Sequence, residues 1–267
     1  MKFDYIFVVL VYKNISVLRD FFFSLNAKNY KVIVVNSYYD DITEKECSLV
    51  ANENNADFIP IPNKGFGYGN NIGAKFAIEY YEFKYLILSN SDIKIESFSF
   101  LETTVLKNAV IAPFTHLPNG KIQNPNIPYK IDILYKLLYF AYDHPSKLLL
   151  VIAHVLTRLS RELFLLKTRF IKRDIYRIFS CHGSFIIFTS DVVEKLFPFF
   201  DDKMFLYNEE SYLAFKCLKH NVNVLYCPKI KIEHLEGAST IAMTKSNFRY
   251  NKESYDILYS HINNNDF

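Results

Sequence analysis

Residues 85 to 92 read Tyr85-Leu86-Ile87-Leu88-Ser89-Asn90-Ser91-Asp92, and they are the most informative part of this sequence. Its first four residues are aromatic or aliphatic and contain no turn signal, so they predict a buried strand that runs into three short polar residues. In an open α/β sheet, ligands bind beyond the carboxyl ends of the strands. A carboxylate at Asp92 is therefore well placed to hold a divalent cation, which can in turn hold a diphosphate. The alternative is that Asn90, Ser91 and Asp92 only end the strand and begin a turn.

The first hundred residues alternate between strand-like and helix-like patterns. Short apolar runs predict strands, and apolar residues at helical spacing predict helices. The predicted strands are Ile6–Val11, Tyr30–Val35, Phe58–Ile61 and Tyr85–Leu88, and the predicted helices are Val17–Leu25, Glu44–Asn55 and Gly73–Tyr81. This alternation predicts an α/β fold with a mostly parallel central sheet flanked by helices.

The second half of the chain has a different organisation. Residues 113–129 contain four prolines and are predicted as a loop, and residues 130–178 are predicted as a helical insertion. Beyond them the patterns predict the strands Ser184–Phe188, Val222–Tyr226 and Lys229–Glu233, the helix Asp191–Leu196 with an N-cap at Ser190, and the helix Glu210–Asn221. We expect one domain over 1–240 and a C-terminal tail over 241–267, frayed around Asn263-Asn264-Asn265.

Composition narrows the class of protein. The chain has 267 residues, half of them hydrophobic, which is enough for a sizeable core, and its net charge of +3 is too small to predict a nucleic-acid partner. The four cysteines show no Cys-x-x-Cys spacing, so a reducing cytoplasm is the expected location. The apolar N-terminus is interrupted at Asp4 and predicts a first strand rather than a signal peptide, and no run is long enough to predict a transmembrane helix.

Residues 147–177 combine leucine-rich stretches with basic flanks. The cations include Arg158, Arg161, Arg169 and Arg173, opposed by few acids. Apolar faces with basic flanks are typical of helices that lie on an anionic membrane surface. An ordinary pair of core helices with a solvated basic face is the alternative.

A glycine-rich stretch runs from Asn63 to Gly73 and precedes a predicted helix. It holds four of the seven glycines of the chain within nine positions. Glycine lets a backbone approach a ligand closely, and the N-terminus of a helix favours anions. Asn63, Asn70 and Asn71 add amide donors and acceptors, which favours a binding element over a flexible connector.

Two further segments carry groups that could act in a reaction. Glu209 and Glu210 follow an aromatic stretch that begins at Phe199, and a carboxylate there could be a general base or could simply complement a helix dipole. His234, followed by Gly237 and Ser239, ends a predicted strand and could bind a metal or phosphate, although a lone histidine is more often structural.

In this order, the four segments resemble a family 2 glycosyltransferase of the GT-A fold, in the branch that contains bacterial rhamnosyltransferases. Asn63 to Gly73 matches the branch's N-x-G-f-g-x-G-x-N-x-G loop, and Asn90-Ser91-Asp92 stands in place of its N-P-D metal motif. Phe200 to Glu210 resembles its later acidic motif, and His234, Gly237 and Ser239 match its closing residues. The resemblance covers residues 5 to 240.

The resemblance implies an inverting, metal-dependent transferase that moves a sugar from a nucleotide-diphosphate donor. Asp92 and His234 would bind Mg²⁺ or Mn²⁺, and Glu210 stands where the family has its catalytic Asp, with Glu209 as the alternative base. The implied acceptor-side residues are His182, Gly183 and Asp202. The implied donor-binding residues are Val11, Tyr12, Asn36, Asn63, Gly65, Gly69, Asn70, Asn71, Asn90 and Ser91.

The same resemblance implies partners and a location. The expected donor is dTDP-rhamnose, with UDP-hexoses next, and the expected acceptor is a lipid-linked glycan or a lipopolysaccharide or capsule chain. With the basic segment, this favours a cytoplasmic protein peripherally attached to the inner membrane. Two positions depart from the motifs: Asn36 replaces a base-contacting Asp, and Glu210 replaces an Asp. These departures leave open a non-catalytic nucleotide-sugar-binding protein, whereas the absence of glycine in Val11–Asn14 argues against a nucleotidyltransferase.

Overall fold

The computed structural model describes residues 1–235, 245–264 and 266–267, with the side chains of Lys245 and Ser246 excepted. In this part of the chain the strands are β1 (Lys2–Val11), β2 (Tyr30–Ser37), β3 (Asp57–Ile61), β4 (Glu82–Asn90), β5 (Ile93–Ser97), β6 (Ala109–His116), β7 (Tyr176–Arg177), β8 (Phe185–Thr189) and β9 (Asn223–His234). The helices are α1 (Ser16–Ser24), α2 (Asp41–Glu53), α3 (Phe66–Tyr80), α4 (Phe100–Thr103), α5 (Asp132–Asp143), α6 (Lys147–Phe170), α7 (Ser190–Leu196), α8 (Glu209–Lys219) and α9 (Lys245–Asn264).

All nine strands form one mixed sheet. Its order is β3-β2-β1-β4-β8-β6-β9-β5, and β7 pairs with β9. The half built from β3, β2, β1 and β4 is parallel, as the sequence predicts. In the other half β8 runs antiparallel to β4 and β6, while β6 and β9 are parallel to each other.

Helices cover both faces of the sheet, which confirms the predicted fold class. Side chains from α3, α6, α7 and α8 pack on one face, and side chains from α1, α2 and α4 pack on the other. A third cluster joins α5, α8 and α9 beside the sheet. The strand interiors are buried on both faces, which explains why they read as continuous apolar runs.

The structure corrects several predicted boundaries in the second half. Residues 109–116 form β6, although the predicted loop begins at Pro113, and a single strand β9 replaces the two predicted around Pro228. The register between β6 and β9 shifts after Pro113, and this irregularity accommodates the extra residues of β9. Helix α7 begins at Ser190, so its N-cap is Thr189 and not Ser190.

The predicted C-terminal tail contains an ordered helix. Residues 245–264 form α9, which includes Asn263 and Asn264 of the segment expected to fray. Tyr255 and Leu258 of α9 are fully buried, and the Tyr255 hydroxyl donates a hydrogen bond to the carbonyl of Tyr135 on α5.

No helix among the described residues is long and apolar enough to cross a bilayer. Helix α6 has the length, about 36 Å at 1.5 Å per residue, but charged residues interrupt its sequence.

Candidate active site at the carboxyl edge of the sheet

The ends of three neighbouring strands meet at one edge of the sheet. Val11 at the end of β1 pairs with Asn36 of β2, and Leu10 pairs with Asn90 of β4. Adjacent strands lie about 4.8 Å apart, so the predicted donor-binding residues of these strands form a continuous row. The pairing of β1 with β2 and β4 therefore brings Val11, Asn36 and Asn90 close together.

Asn36 is buried in this row. Its side chain is 1% exposed, and neither of its polar atoms has a hydrogen-bond partner among the described residues. The thiol of Cys47 is close enough to interact weakly with it: burial raises the pKa of Cys47 to about 11, and the contact with Asn36 opposes that shift. A buried amide without partners costs free energy, so Asn36 is a candidate group for a ligand that supplies both a donor and an acceptor.

Two tyrosines and a lysine cover the same end of β1 and β2. The rings of Tyr12 and Tyr39 meet edge to face at 5.9 Å, and both are about half exposed. The Lys13 ammonium lies 5.1 Å from the Tyr12 ring and 4.4 Å from the Tyr39 ring. Lys13 and Tyr39 are not among the site residues predicted from the sequence. The sequence signals for them are the pair Tyr12-Lys13 directly after β1 and the pair Tyr38-Tyr39 directly after β2.

The glycines of the glycine-rich stretch serve close packing. Helix α3 begins at Phe66, so most of the stretch is helical and does not precede the helix as predicted. A Cβ on Gly65 would lie 2.3 Å from the Phe205 carbonyl oxygen, and a Cβ on Gly73 would lie 2.3 Å from the Val8 side chain. A Cβ on Gly69 would meet Leu10 at 2.5 Å. These contacts seat α3 directly on the sheet and on the loop that precedes α8.

The three asparagines of this stretch differ in their contacts. The Asn71 amide donates to the Phe200 carbonyl and to Asp202 Oδ1, and its oxygen accepts the Phe199 and Phe200 N–H groups. Its contacts lie entirely within the protein and fix the loop that holds Asp202. Asn63 accepts a hydrogen bond from the Gly65 N–H at 3.3 Å. Asn70 donates to the Phe66 carbonyl, while its buried oxygen has no partner among the described residues.

Asp92 and His234 face each other at the same edge. Asp92 follows β4 and is 7% exposed, and His234 ends β9 and is 5% exposed. His234 Nε2 lies 3.2 Å from Asp92 Oδ1, and His234 Nδ1 lies 2.8 Å from Gln123 Oε1. Because an amide oxygen only accepts, Gln123 fixes a hydrogen on Nδ1, and Nε2 is the ring nitrogen that faces the carboxylate.

This pair fits one side of a metal site. An imidazole nitrogen and a carboxylate oxygen are both common metal ligands, so a cation could be held by the two together. Metal-binding histidines generally donate their second ring N–H to a nearby acceptor, which is the role of Gln123 here. In the part of the chain that the structure describes, no three His, Cys, Asp or Glu side chains are arranged to hold a metal ion, so phosphate or water would complete the coordination. Ser91 lies beside Asp92, whereas Gly237 and Ser239 lie outside the described residues.

His182 and Gly183 precede β8 and reach the same edge because β8 runs antiparallel to β4. The His182 N–H donates to Asn124 Oδ1, and the Ser184 N–H donates to His182 Nδ1. The pKa of His182 falls to about 3, because burial and the charges of His234 and Arg161 disfavour the imidazolium, whereas Asp92 opposes this effect. Since Nδ1 accepts, the neutral ring presents an N–H at Nε2, and its centroid lies 5.8 Å from that of His234.

Glu209 and Glu210 form a buried acidic pair at the start of α8. Gly183 donates its N–H to Glu210 Oε1 at 3.2 Å, and a Cβ at position 183 would crowd that oxygen. Burial raises the pKa of Glu210, while its own N–H and that of Gly183 oppose the shift. The pKa of Glu209 is raised well above its usual value by burial and by the charge of Glu210, and its Oε1 has no hydrogen-bond partner among the described residues. A proton on the pair therefore resides on Glu209.

The backbone before this pair is strained. Tyr207 and Asn208 have φ angles of 77° and 68°, in the left-handed region. Such conformations cost on the order of 1–3 kcal/mol each in non-glycine residues and cluster at functional sites. The sequence gives no clear signal for this strain. It also gives none for the contacts of Gln123 with His234 and of Asn124 with His182, because both amides lie in a proline-rich segment that predicts only a loop.

A separate surface depression of about 410 Å³ lies at the opposite edge of the sheet, at the start of β9. Asn108, Arg177 and Asn223 line it, and none of the groups described above contributes to it.

This chain was compared with protein-family models, curated proteins and solved structures. No protein-family model and no curated protein matches this chain. A crystal structure of GalNAc-T7 with UDP, GalNAc and Mn²⁺ is similar at a TM-score of 0.59 and 11% identity, over 92% of this chain and 47% of that one. A crystal structure of S. aureus TarS is similar at a TM-score of 0.55 and 12% identity, over 87% of this chain and 36% of that one.

This chain thus spans about half the length of the first structure and about a third of the second. Likeness at such low identity establishes the fold alone. The central mixed sheet with flanking helices matches these GT-A glycosyltransferase structures, and this chain has the GT-A fold.

Proposed function

We propose that this protein is an inverting, metal-dependent glycosyltransferase that uses a nucleotide-diphosphate sugar. The observation that carries the proposal is the buried contact of 3.2 Å between Asp92 Oδ1 and His234 Nε2, with Gln123 holding the histidine. Two such groups at the carboxyl edge of a GT-A sheet are suited to a cation that holds a diphosphate. The bound UDP, GalNAc and Mn²⁺ of the GalNAc-T7 structure are consistent with it.

The donor lies along the row of strand ends in this proposal. Asn36 offers an amide to the base, and Tyr12 and Tyr39 offer ring faces beside it. Val11, Asn90 and Ser91 line the path from the base to the metal site. Asn63, Gly65, Gly69 and Asn70 hold the start of α3 against this path, and the unpaired oxygen of Asn70 is its free acceptor.

Asp92 and His234 hold the metal, and Ser91 borders it. When bound, Mg²⁺ or Mn²⁺ supplies the positive charge that stabilises the departing diphosphate. The imidazole in this donor set favours Mn²⁺ over the harder Mg²⁺, whereas a carboxylate suits both. His182 adds a neutral N–H donor on the acceptor side, which can bind a sugar hydroxyl or a phosphate oxygen without competing for the cation.

Glu210 is the general base. The two N–H groups that its carboxylate accepts favour its ionised form, while Glu209 carries the proton of the pair. Burial moves the pKa of Glu210 toward neutrality, which is where a base works best. It removes the proton from the acceptor hydroxyl, whose oxygen attacks the anomeric carbon as the bond to the diphosphate breaks. Gly183 orients Glu210, and Asp202, held by Asn71, borders the acceptor side.

The finer assignments rest on the sequence motifs. We propose rhamnose or another hexose as the sugar, dTDP or UDP as the carrier, and a surface glycan, lipid-linked or in lipopolysaccharide or capsule, as the acceptor. A peripheral location at the cytoplasmic face of the inner membrane fits such an acceptor.

The first test is a thermal-shift panel of nucleotide diphosphates and nucleotide-sugars, each with and without Mn²⁺. Ligands that bind the folded state raise the melting temperature by mass action. We expect a shift with one nucleotide that depends on Mn²⁺ and disappears in Asp92→Ala, while Asp20→Ala, an exposed acid on α1, keeps it. A shift without any sugar transfer or donor hydrolysis would favour a non-catalytic nucleotide-sugar-binding protein. A metal-dependent shift that survives in Asp92→Ala would refute the metal site.

The second test concerns the base. Glu210→Gln should lower kcat by about 10²- to 10⁴-fold, the usual contribution of a general base, with little change in donor affinity. Glu209→Gln should retain most of the turnover because Glu209 is protonated in the working enzyme. If Glu209→Gln is the damaging change and Glu210→Gln is not, the roles of the two residues are reversed.

A further inference from the structure

Helix α6 exposes a long apolar surface. Nine aliphatic or aromatic side chains along it are between 37% and 79% exposed. They recur every three or four residues and therefore share one side of the helix. We call this set the outer stripe: Leu148, Val151, Ile152, Val155, Leu156, Leu159, Leu163, Leu166 and Phe170.

The outer stripe is not the core-facing side of α6. Ala153, Phe164 and Leu165 are the buried residues of this helix, and Phe164 packs against Tyr176 and Tyr226 on the sheet. An ordinary core helix would turn polar residues outward on the opposite side. Here both sides are apolar, and exposed apolar surfaces of this size mark interaction sites.

Cations border the outer stripe. Residues 147–173 hold seven lysines and arginines and a single acid, Glu162. Arg158 and Arg169 lie along one margin of the stripe, and Lys172 and Arg173 follow its end; all four are exposed. An apolar stripe with basic margins complements an anionic bilayer, whose phosphates lie directly above its acyl chains.

A second copy of this chain fits the outer stripe poorly. Arg158 lies at the midpoint of α6, so a two-fold pair of antiparallel helices would bring the two Arg158 side chains together. Like charges placed together across an interface are unfavourable, and Glu162 is the only acid on the helix that could offset them.

Helix α6 also borders the acceptor side of the candidate site. Phe164 contacts Tyr129, and the segment that contains Tyr129 bridges to Ser180 through Ile127. Ser180 is two residues from His182, and Arg161 on α6 is close enough to His182 to act on it electrostatically. A bilayer on the outer stripe would therefore lie beside the acceptor side and not beside the donor row.

We propose that the outer stripe is a membrane-binding surface, with α6 lying in the plane of an anionic bilayer at the boundary between head groups and acyl chains. The surface itself follows from α6 alone. Only its purpose, to bring a lipid-linked acceptor to His182 and Glu210, rests on the proposed function.

The test is vesicle flotation of the full chain without nucleotide. The probes are phosphatidylcholine vesicles with and without phosphatidylglycerol. We expect flotation that requires phosphatidylglycerol, weakens with added salt, and falls at least about tenfold in Val155→Glu/Leu159→Glu, because both residues insert apolar side chains in the bound state. The matched control is Phe23→Glu/Val105→Glu, which changes two residues that are 96% and 81% exposed on other parts of the surface. The control should float like the unchanged protein.

Circular dichroism melting and the nucleotide thermal shift, both measured without vesicles, check that each variant is folded and binds donor. A protein that does not float, or a Val155→Glu/Leu159→Glu variant that floats normally, would overturn the proposal. The proposal would also be overturned if sedimentation showed a dimer that does not bind vesicles and that only Val155→Glu/Leu159→Glu dissociates. If flotation behaves as expected but no nucleotide shifts the melting temperature, the proposed function fails and the membrane surface stands.

Discussion

The substitution Glu209→Gln should make the protein more stable at neutral pH. Glu209 is 3% exposed, its Oε1 has no hydrogen-bond partner among the described residues, and the charge of Glu210 is adjacent. Both causes disfavour the ionised form and raise the pKa of Glu209 well above the ordinary value of 4.5. A glutamine keeps the shape of the side chain and removes its ionisation.

The direction in which stability changes with pH follows from proton binding. Between pH 4.5 and the folded-state pKa, the folded protein holds a proton on Glu209 that the unfolded chain has lost. The free energy of unfolding therefore falls as pH rises, by about 1.4 kcal/mol per pH unit for one proton, and the loss ends above the folded-state pKa. At about 2–4 °C per kcal/mol for a chain of this size, this is a decrease in Tm of about 3–6 °C per pH unit. Glu209→Gln should remove this slope, because glutamine does not titrate.

The assay is a set of thermal melts from pH 5 to pH 8. The unchanged protein and Glu209→Gln should have similar Tm values near pH 5 and diverge as pH rises, with the variant more stable at pH 8. Glu194→Gln, an exposed residue on α7, is the matched control and should follow the unchanged protein. Parallel profiles for the unchanged protein and Glu209→Gln would show that Glu209 is ionised or solvated in the folded state, and the assignment of Glu210 as the base would lose its support.

Three further substitutions test the packing and the metal site. Gly65→Ala should lower the free energy of unfolding by about 2–5 kcal/mol, because the alanine would have a positive φ angle and would overlap with the Phe205 carbonyl. Gly120 also has a positive φ angle but lies in open space, so Gly120→Ala should lower the free energy of unfolding by only about 1 kcal/mol. Urea titrations measure both. Asn71→Ala should lower stability by about 1–3 kcal/mol, because it leaves buried backbone groups unpaired, without changing donor affinity by titration calorimetry. Gln123→Leu should weaken Mn²⁺ binding about 10- to 100-fold by electron paramagnetic resonance titration and should also lower stability by about 1–3 kcal/mol, because it leaves the buried His234 Nδ1 unpaired. Undiminished Mn²⁺ affinity would contradict the role of Gln123.

The parallel half of the fold is predictable because its signals are local. Each strand of β1 to β4 is an apolar run between polar connections, and each helix between them has its own periodicity. Strand β6 is not predicted, because Pro113 within it and Pro118 just after it indicate a loop, although Pro113 stands where the ladder between β6 and β9 is irregular. Helix α9 was missed because its burial depends on a groove made by α5 and α8, which no local pattern reports.

The candidate site is likewise predictable from the sequence only in part. The positions of Asp92, Asn36 and Asn90 follow from strand ends, and a sequence shows where strands end. The contacts of Gly65 and Gly73 do not follow, because a glycine that lets a backbone approach a ligand looks the same in a sequence as one that lets a helix approach a sheet. The role of Gln123 is equally hidden, since it depends on a histidine that is 111 residues away along the chain.

The antiparallel strand β8 explains how distant residues meet at one edge. Parallel strands place only their carboxyl ends there, and each must be followed by a connection that returns across the sheet. Because β8 runs the other way beside β4, its beginning lies at the same edge, as the hydrogen bond from the Asn90 N–H to the Ser184 carbonyl shows. The residues before β8, His182 and Gly183, therefore face the end of β4. Gly183 in turn donates a hydrogen bond to Glu210, so one reversed strand joins Asp92, which follows β4 of the parallel half, to the acidic pair of α8. A substitution that shifts the register of β8 should accordingly impair base and metal functions together, whereas one in β2 or β3 should affect only donor binding.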